Sequence, residues 1–276
     1  MTKKLTKITS SILLASLFIF SLSACGQSGS TDKKVLRIGT SPGPYSELFK
    51  TGVKPILEKK GYTVKLINFS NLLQADVALT EGSIDFNVDQ HTAYIRTFNK
   101  EKKADLVPVL HIPSVRAGIF SNKHESIKQI QNGAKIAIPQ DPSNAARAYH
   151  LLQKAGWITL KKGVNPILAT KDDIESNPRH LTIIQMDSAQ IPRALSDVDF
   201  GVLPGSIVYA AHIDPEKALL SETLVKDLEI TVAVDKKNRD KKWVKAIVSA
   251  YQSKTFKNYI SEHNHNHYWV IPDDLK

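Results

Sequence analysis

The chain has 276 residues, 42 % of them hydrophobic, enough to bury cores for two lobes. Its formal net charge of +10 falls to +7 once the three lysines of the N-terminal leader are removed. The remaining lysines are spread through the sequence, notably over 235–245, and are not grouped with aromatics; this argues against a nucleic-acid surface and fits a solvated basic exterior near an anionic membrane.

The first 24 residues read as an export signal and not as part of a fold. Lys3, Lys4 and Lys7 form a positive n-region, and 12–22 is an apolar stretch too short to span a bilayer and stay there. Leu22-Ser23-Ala24 then sets small residues before Cys25, the only cysteine of the chain. This resembles a bacterial lipobox, in which the thiol is lipidated and becomes the new N-terminus. Cys25 is therefore the candidate lipidation site, and the expected location is the extracytoplasmic face of the cell membrane; the other reading is a plain signal peptide with a chance cysteine. The lack of further cysteines fits an exported protein that uses no disulfides. Residues 25–34, small and polar from Gln27 on, form a flexible tether.

Residues 35–40 (VLRIGT) form a first buried strand, left through Ser41-Pro42-Gly43-Pro44. A helix over 46–60 ends at Gly61, and 62–69 alternates as a second strand. A helix over 73–81 closes at Gly82; a short strand at 84–87, a helix at 92–102 and a strand at 106–112 follow. Strands alternating with helices at this spacing mean βαβ units and a largely parallel sheet, whose ligands bind beyond the carboxyl ends of the strands. The loops 41–44, 70–72 and 88–91 and the stretch 111–116 are expected on one rim.

A strand at 117–121 restarts the pattern, and 135–138 is another buried strand, broken by Pro139, Gln140 and Pro142. Ser143 or Asn144 offers a helix N-cap, with Ala148, Leu151, Leu152 and Ala155 on one face and Gly156 as a left-handed cap. The helix N-terminus brings unpaired N–H groups and a positive dipole end to one spot, an anion site fit for a carboxylate or phosphate. Arg147, three residues after Asn144, can face the same ligand; the alternative is an ordinary capped helix with a solvated arginine.

A weak internal repeat relates 66–94 to 181–209: strand, helix with Ala-Leu, then Ser83-Ile84-Asp85-Phe86 or Asp197-Val198-Asp199-Phe200, then loop and helix. It implies two lobes of similar wiring, with Asp89-Gln90-His91 and Pro204-Gly205-Ser206 as equivalent loops meeting the 139–147 turn across a cleft. A late strand at 229–234 is suited to crossing back, so crossings near 115–120 and 230–236 make a two-strand hinge. The lobes are expected at 35–116 plus 235–276, and at 117–234. An amphipathic helix spans 243–256, with Val244, Ile247, Val248 and Tyr251 on one stripe.

An anchor, a tether and two hinged α/β lobes resemble a solute-binding protein of a bacterial ABC importer, and the particular residues resemble the methionine-binding (MetQ/NlpA) lipoprotein family from about Val35 to Tyr251. The motifs are Thr40-Ser41-Pro42-Gly43-Pro44, Gln90-His91, Ala137-Ile138-Pro139 with Asp141-Pro142-Ser143-Asn144, Arg147-Ala148, Glu175-Ser176-Asn177-Pro178, and Arg193-Ala194-Leu195 with Asp197-Val198-Asp199. The resemblance implies a periplasmic-binding-protein-like α/β fold, delivery of a small amino acid or peptide to a permease with its ATPase, and no catalysis or cofactor. It also implies that Asn144 and Arg147 hold the ligand's carboxylate. Where the family sets aromatic faces against the ligand side chain, this chain has Leu72 and Asp89. Where the family has an Asn for the ligand's amine, the loop reads Pro204-Gly205-Ser206. The carboxylate end of the site is kept and its side-chain and amine contacts are changed, so a more polar or cationic solute than methionine is expected.

His263, His265 and His267 alternate near the C-terminus and on a strand would share a face for a transition metal, but a terminal, polar stretch favours a mobile tail. His91 and His111 stand where a pocket would form, as ligand contacts or as structural histidines. Arg116 either pairs with Asp89 or faces the ligand. No nucleophile–base pattern, Walker loop or GxGxxG supports an enzyme. The alternatives to a transport receptor are a surface lipoprotein acting as adhesin or sensor, and a metal receptor using the histidines.

Overall fold

The computed structural model describes residues 33–165, 167–265 and 268–276; the leader, Cys25, most of the tether and His267 lie outside them. From its N-terminal end the described chain runs β1 (Val35–Thr40), α1 (Pro44–Leu48), α2 (Lys54–Lys59), β2 (Thr63–Asn68), α3 (Leu72–Thr80), β3 (Phe86–His91), α4 (Thr92–Lys102) and β4 (Leu106–His111). It crosses over into β5 (Gly118–Phe120), β6 (Lys135–Pro139), α5 (Pro142–Lys154) and a small antiparallel pair, β7 (Thr159–Leu160) with β8 (Ile174–Ser176). β9 (Thr182–Met186), α6 (Ile191–Ala194), β10 (Phe200–Leu203), α7 (Gly205–Ala210) and β11 (Leu220–Ser221) complete that half. A second crossing leads to β12 (Ile230–Asp235), α8 (Lys242–Tyr251) and α9 (Lys254–His263).

Two five-stranded sheets follow one plan. The first has the order β2-β1-β3-β12-β4 and the second, read from its far edge, β9-β6-β10-β5-β11. In each, the first three strands are parallel and the fourth is antiparallel to both of its neighbours. The fourth strand is in both cases the first one laid down after a crossing. The internal repeat thus extends from local sequence to strand order and direction, and the fold is α/β with two lobes.

Each lobe has its own core. Phe86 packs edge-on against Phe49, with ring centroids 5.4 Å apart, and against Trp243 of α8; Trp157 and Phe200 meet at 4.7 Å in the second lobe. All five rings are buried, and each large apolar side chain removed from water contributes about 1.5–3 kcal/mol.

Several expectations need correction. Ile230–Asp235 pairs with β3 and β4, so the second crossing lies between Ser221 and Ile230 and the second lobe ends before 234. A nearly continuous apolar run suits that position, because a strand with a neighbour on each edge and cover on each face has no solvent side. The helix expected from 46 begins at Pro44, whose missing N–H costs nothing at a first turn, and it widens to a π-turn over Phe49–Val53 before Pro55, which cannot donate to the turn behind it. The helix expected over 243–256 is two helices, because Ser253 accepts a hydrogen bond from the Phe256 N–H and starts α9. Nor is the C-terminal stretch a free tail. Val270 bridges Ser114 in the first crossing, and Trp269 and Leu275 are buried.

Candidate functional site

Parallel strands β1, β2 and β3 of the first lobe, and β6, β9 and β10 of the second, all end at the same cleft. Its walls come from the turns just past those ends and from the last residues of β3: Ser41–Gly43, Ser70–Leu72 and Asp89 of β3 on one side, Gln140–Asn144, Asp187–Ala189 and Pro204–Ser206 on the other. The cleft volume is about 460 Å³, within the range of small-molecule sites, and a recess of about 60 Å³ runs deeper between Gln90, His91, Asn144 and Arg147. The lobes come close here, since a Cβ placed on Gly43 would lie 3.8 Å from the Cβ of Ser206. A second cavity of equal volume, bounded by Arg116, Asp214, His265 and Tyr268, takes only Gly205 from these strand-end turns.

The expected loop 88–91 is instead the last turn-free stretch of β3, which gives its side chains a fixed alternation. Asp89 points at the cleft. Its Oδ2 accepts from the Ser41 N–H at 3.0 Å and the Ser41 hydroxyl at 2.9 Å, and its carboxylate also receives the Ser46 hydroxyl. Burial raises its pKa to about 6 against the pull of these neutral donors. Gln90, 1 % exposed, donates to Asp76 Oδ1 at 3.0 Å, as Asn87 does at 2.6 Å. Asp76 is wholly buried, and burial pushes its carboxyl up to about 7.

His91 caps α4: its Nδ1 accepts the Tyr94 N–H at 3.1 Å, so the ring proton sits on Nε2. Burial lowers its pKa to about 3 and keeps it neutral. Neither His91 Nε2 nor Gln90 Oε1 has a hydrogen-bond partner among the described residues, although both are buried at the recess. Leu72, the first residue of α3, lines both cleft and recess from above an Asn71 cap.

In the second lobe the anion site expected at the start of α5 is already filled. Neither Ser143 nor Asn144 is the N-cap. Pro142 takes the first helical position, which moves the cap back to Asp141. Its Oδ1 accepts from the Asn144 N–H and the Ser143 hydroxyl, both at 3.0 Å, and the Asn144 amide donates to both of its oxygens. Asn144 Oδ1 is left unpartnered at the recess.

Arg147, 7 % exposed, is likewise engaged by the chain itself. Its Nε and Nη2 both donate to the carboxylate of Glu222, and Nη2 also reaches the Val115 carbonyl. Glu222 Oε1 in turn accepts the Ala117 N–H at 2.6 Å. Burial alone would lower the Arg147 pKa; Glu222 outweighs it and holds the guanidinium above its usual value. Val115 and Ala117 belong to the first crossing and Glu222 to the second, so one arginine on α5 ties both crossings together. Sequence reasoning missed Glu222, which is 75 residues from Arg147 and sits in no periodic pattern.

Ser206 lines the cleft and the recess. Gly205 serves packing as well: a Cβ there would meet Val115 Cγ2 at 2.4 Å and the Arg116 carbonyl oxygen at 2.6 Å. His111 pairs with Asp274 at 2.8 Å, away from the cleft. His263 stacks on Tyr259 and contacts its carbonyl, and among the described residues no group of three His, Cys, Asp or Glu side chains is placed to hold a metal ion.

This geometry has close relatives. Lipoprotein 28 of Escherichia coli K12 is 34 % identical over 247 residues, 88 % of each chain. A nutrient-binding protein from Burkholderia cenocepacia, solved bound to methionine, superposes with a TM-score of 0.79 at 38 % identity, covering 86 % of this chain and 99 % of that one. An ABC-transporter periplasmic substrate-binding protein from Coxiella burnetii gives 0.79 at 33 % identity over 86 % of this chain and all of the other. The sequence model of the NlpA lipoproteins matches residues 36–272, the whole two-lobed body with its cleft. The chain belongs to the NlpA lipoprotein family.

Proposed function

We propose that the chain is the solute receptor of an ABC importer, anchored by lipid at Cys25 on the extracytoplasmic face of the cell membrane. It captures an amino acid or a short peptide and presents it to a permease driven by an ATPase subunit. The observation that carries this reading is the recess, where a buried donor, His91 Nε2, beside the Asn144 side chain, and a buried acceptor, Gln90 Oε1, have no hydrogen-bond partner within bonding geometry among the described residues. Unpaired buried groups are costly, and a solute with both donors and acceptors would satisfy them. Matched lobes joined by two short crossings supply the motion that encloses such a solute. The Burkholderia cenocepacia relative bound to methionine and the ABC-transporter relative from Coxiella burnetii support the same class of solute and the same partner.

Native mass spectrometry of the protein as purified, followed by solution scattering before and after removal of what it carries, tests this reading. The expected result is a retained mass in the range of an amino acid or small peptide, with a smaller radius of gyration in the loaded form. A chain that neither retains nor takes up any amino acid or short peptide would overturn it.

A further inference from the structure

The cleft's charges are lopsided in a way that bears on what it holds. Two devices in it are built to receive an anion, and the chain's own carboxylates already engage both: Glu222 takes the Nε–Nη2 edge of Arg147, and Asp141 takes the start of α5. Apart from Arg147 at the recess, no lysine or arginine lines the cleft among the described residues. Three carboxylates do, those of Asp89, Asp141 and Asp187. Asp187 is exposed and caps the Ala189 N–H, and Asp141 is spent on Ser143 and Asn144. Asp89 stands apart. It sits on a strand, half-buried, and its hydrogen bonds come only from an amide and two hydroxyls, none of which brings a positive charge.

The unpartnered atoms of the recess lean the same way. Two are acceptors, Gln90 Oε1 and Asn144 Oδ1, and one is a donor, His91 Nε2, whose ring lies beside the Asn144 side chain. The amide orientations are fixed by the network, because Gln90 and Asn144 each spend their NH₂ on a carboxylate. Tyr45 and Tyr94 also line the cleft, and aromatic faces attract cations. Among the described residues no three His, Cys, Asp or Glu side chains are placed to hold a metal ion. This pattern suits an organic cation of some length and not a bare metal ion.

We propose that the solute is an amino acid with a basic side chain, whose ammonium or guanidinium group seats against Asp89. The proposal rests on the amino-acid-receptor reading above and narrows it. In the loaded cleft the side-chain cation neutralises Asp89, and the α-ammonium and α-carboxylate meet the acceptors and the donor of the recess. Asp89 is then the residue that sets specificity, through charge and not through shape. A solute without the second cation leaves that carboxylate desolvated and unbalanced in the closed cleft.

The test is calorimetry on protein stripped of retained solute by unfolding and refolding, titrated with lysine, arginine, norleucine, methionine and methionine dipeptides. Norleucine has the carbon chain of lysine without its terminal amine, so the pair isolates the cation. Lysine or arginine is expected to bind at least about tenfold more tightly than norleucine or methionine, as one charge-assisted contact implies. Asp89→Asn keeps the shape and the Ser41 contact and should bring lysine and norleucine to within about threefold of each other. Norleucine or methionine binding as tightly as the basic amino acids in the wild type would overturn the inference and leave the receptor reading standing. An Asp89→Asn protein that keeps the lysine preference would also overturn it. Binding of no member of the panel would also overturn the inference, and the retained mass in native mass spectrometry then decides the receptor reading separately.

Discussion

At the carboxyl ends of β6 and β10 the second lobe brings polar groups that are already matched: Asp141 with Ser143 and Asn144, and Arg147 with Glu222. At the carboxyl end of β3, the strand equivalent to β10, the first lobe brings groups that are not: the Asp89 charge, Gln90 Oε1 and His91 Nε2. The two sheets have the same order and the same directions, so the difference is one of side chains on a shared frame. A lobe whose cleft face is satisfied except at one acceptor, Asn144 Oδ1, offers mainly shape and rigidity. A lobe with open valences offers recognition. Affinity differences between solutes should therefore follow changes at Asp89, Gln90 and His91, and breaking the Arg147–Glu222 pair should cost stability first.

The largest test of that division is Arg147. In a site where it only grips the ligand, Arg147→Ala would weaken binding and leave folding alone. Here it leaves Glu222 buried without a counter-charge, which costs about 3–5 kcal/mol, whereas replacing both with apolar residues of similar size is far milder. Urea unfolding of Arg147→Ala, Glu222→Leu and the Arg147→Met/Glu222→Leu pair should show both single variants strongly destabilised and the double variant closer to wild type. Single variants as stable as wild type would return Arg147 to the ligand.

A second test is set in the first lobe, where Asp76 holds Asn87 and Gln90. Its carboxyl is raised by burial from about 3.8 to about 7, so between those pH values the folded chain keeps a proton that the unfolded chain has released. Stability from this group is therefore complete below about pH 4 and lost as pH rises through 7, by at most roughly 4 kcal/mol. Asp89, raised to about 6, adds a smaller loss of the same sign, while His91, lowered to about 3, costs stability as pH falls below about 6.5. Asp76→Asn isolates the Asp76 share, because its amide can donate to Asn87 Oδ1 or Gln90 Oε1, both of which lack partners. The variant should be more stable than wild type by about 2–4 kcal/mol at pH 8 and equal to it near pH 4, read from urea midpoints at each pH. A pH-independent difference would show that Asp76 is not the titrating group.

The wiring was legible in the sequence because it repeats. The two Asp-Phe strands stand at matching places in 66–94 and 181–209, and the glycines that end helices and the proline-rich turns mark element ends wherever the sheet later places them. The fourth strand of each sheet was not legible as such, since Ile230–Asp235 reads the same whether it joins one sheet or the other. Within the site, Asn144 and Arg147 could be picked out and their partners could not. Glu222 is one acid in a stretch with no periodicity, and the signal for Asp141 as the cap over Ser143 and Asn144 is Pro142 after it, the mark of a first helical position. The buried C-terminus had a signal as well, in Tyr268 and Trp269, two large aromatics that a solvated tail has no use for.

The smallest expected effect sharpens the comparison most directly, because it would turn a closed valence into an open one. Asp141→Ala removes the cap of α5, a loss of about 1 kcal/mol, since the helix remains packed through Ala148, Leu151 and Leu152. It also releases the Asn144 N–H, the Asn144 amide and the Ser143 hydroxyl into the cleft, with the positive end of a thirteen-residue helix behind them. The second lobe would then offer an anion site, and the balance between cationic and zwitterionic solutes should move towards the zwitterion by about threefold to tenfold, the effect of one exposed helix-end contact. The measurement is the ratio of methionine to lysine affinity in Asp141→Ala against wild type, at a pH near 7 and low salt. A ratio that does not change, in a variant that has lost the expected stability, would mean that the start of α5 faces its own cap and not the solute. The pairing of second-lobe polar groups would then have no bearing on what the cleft selects.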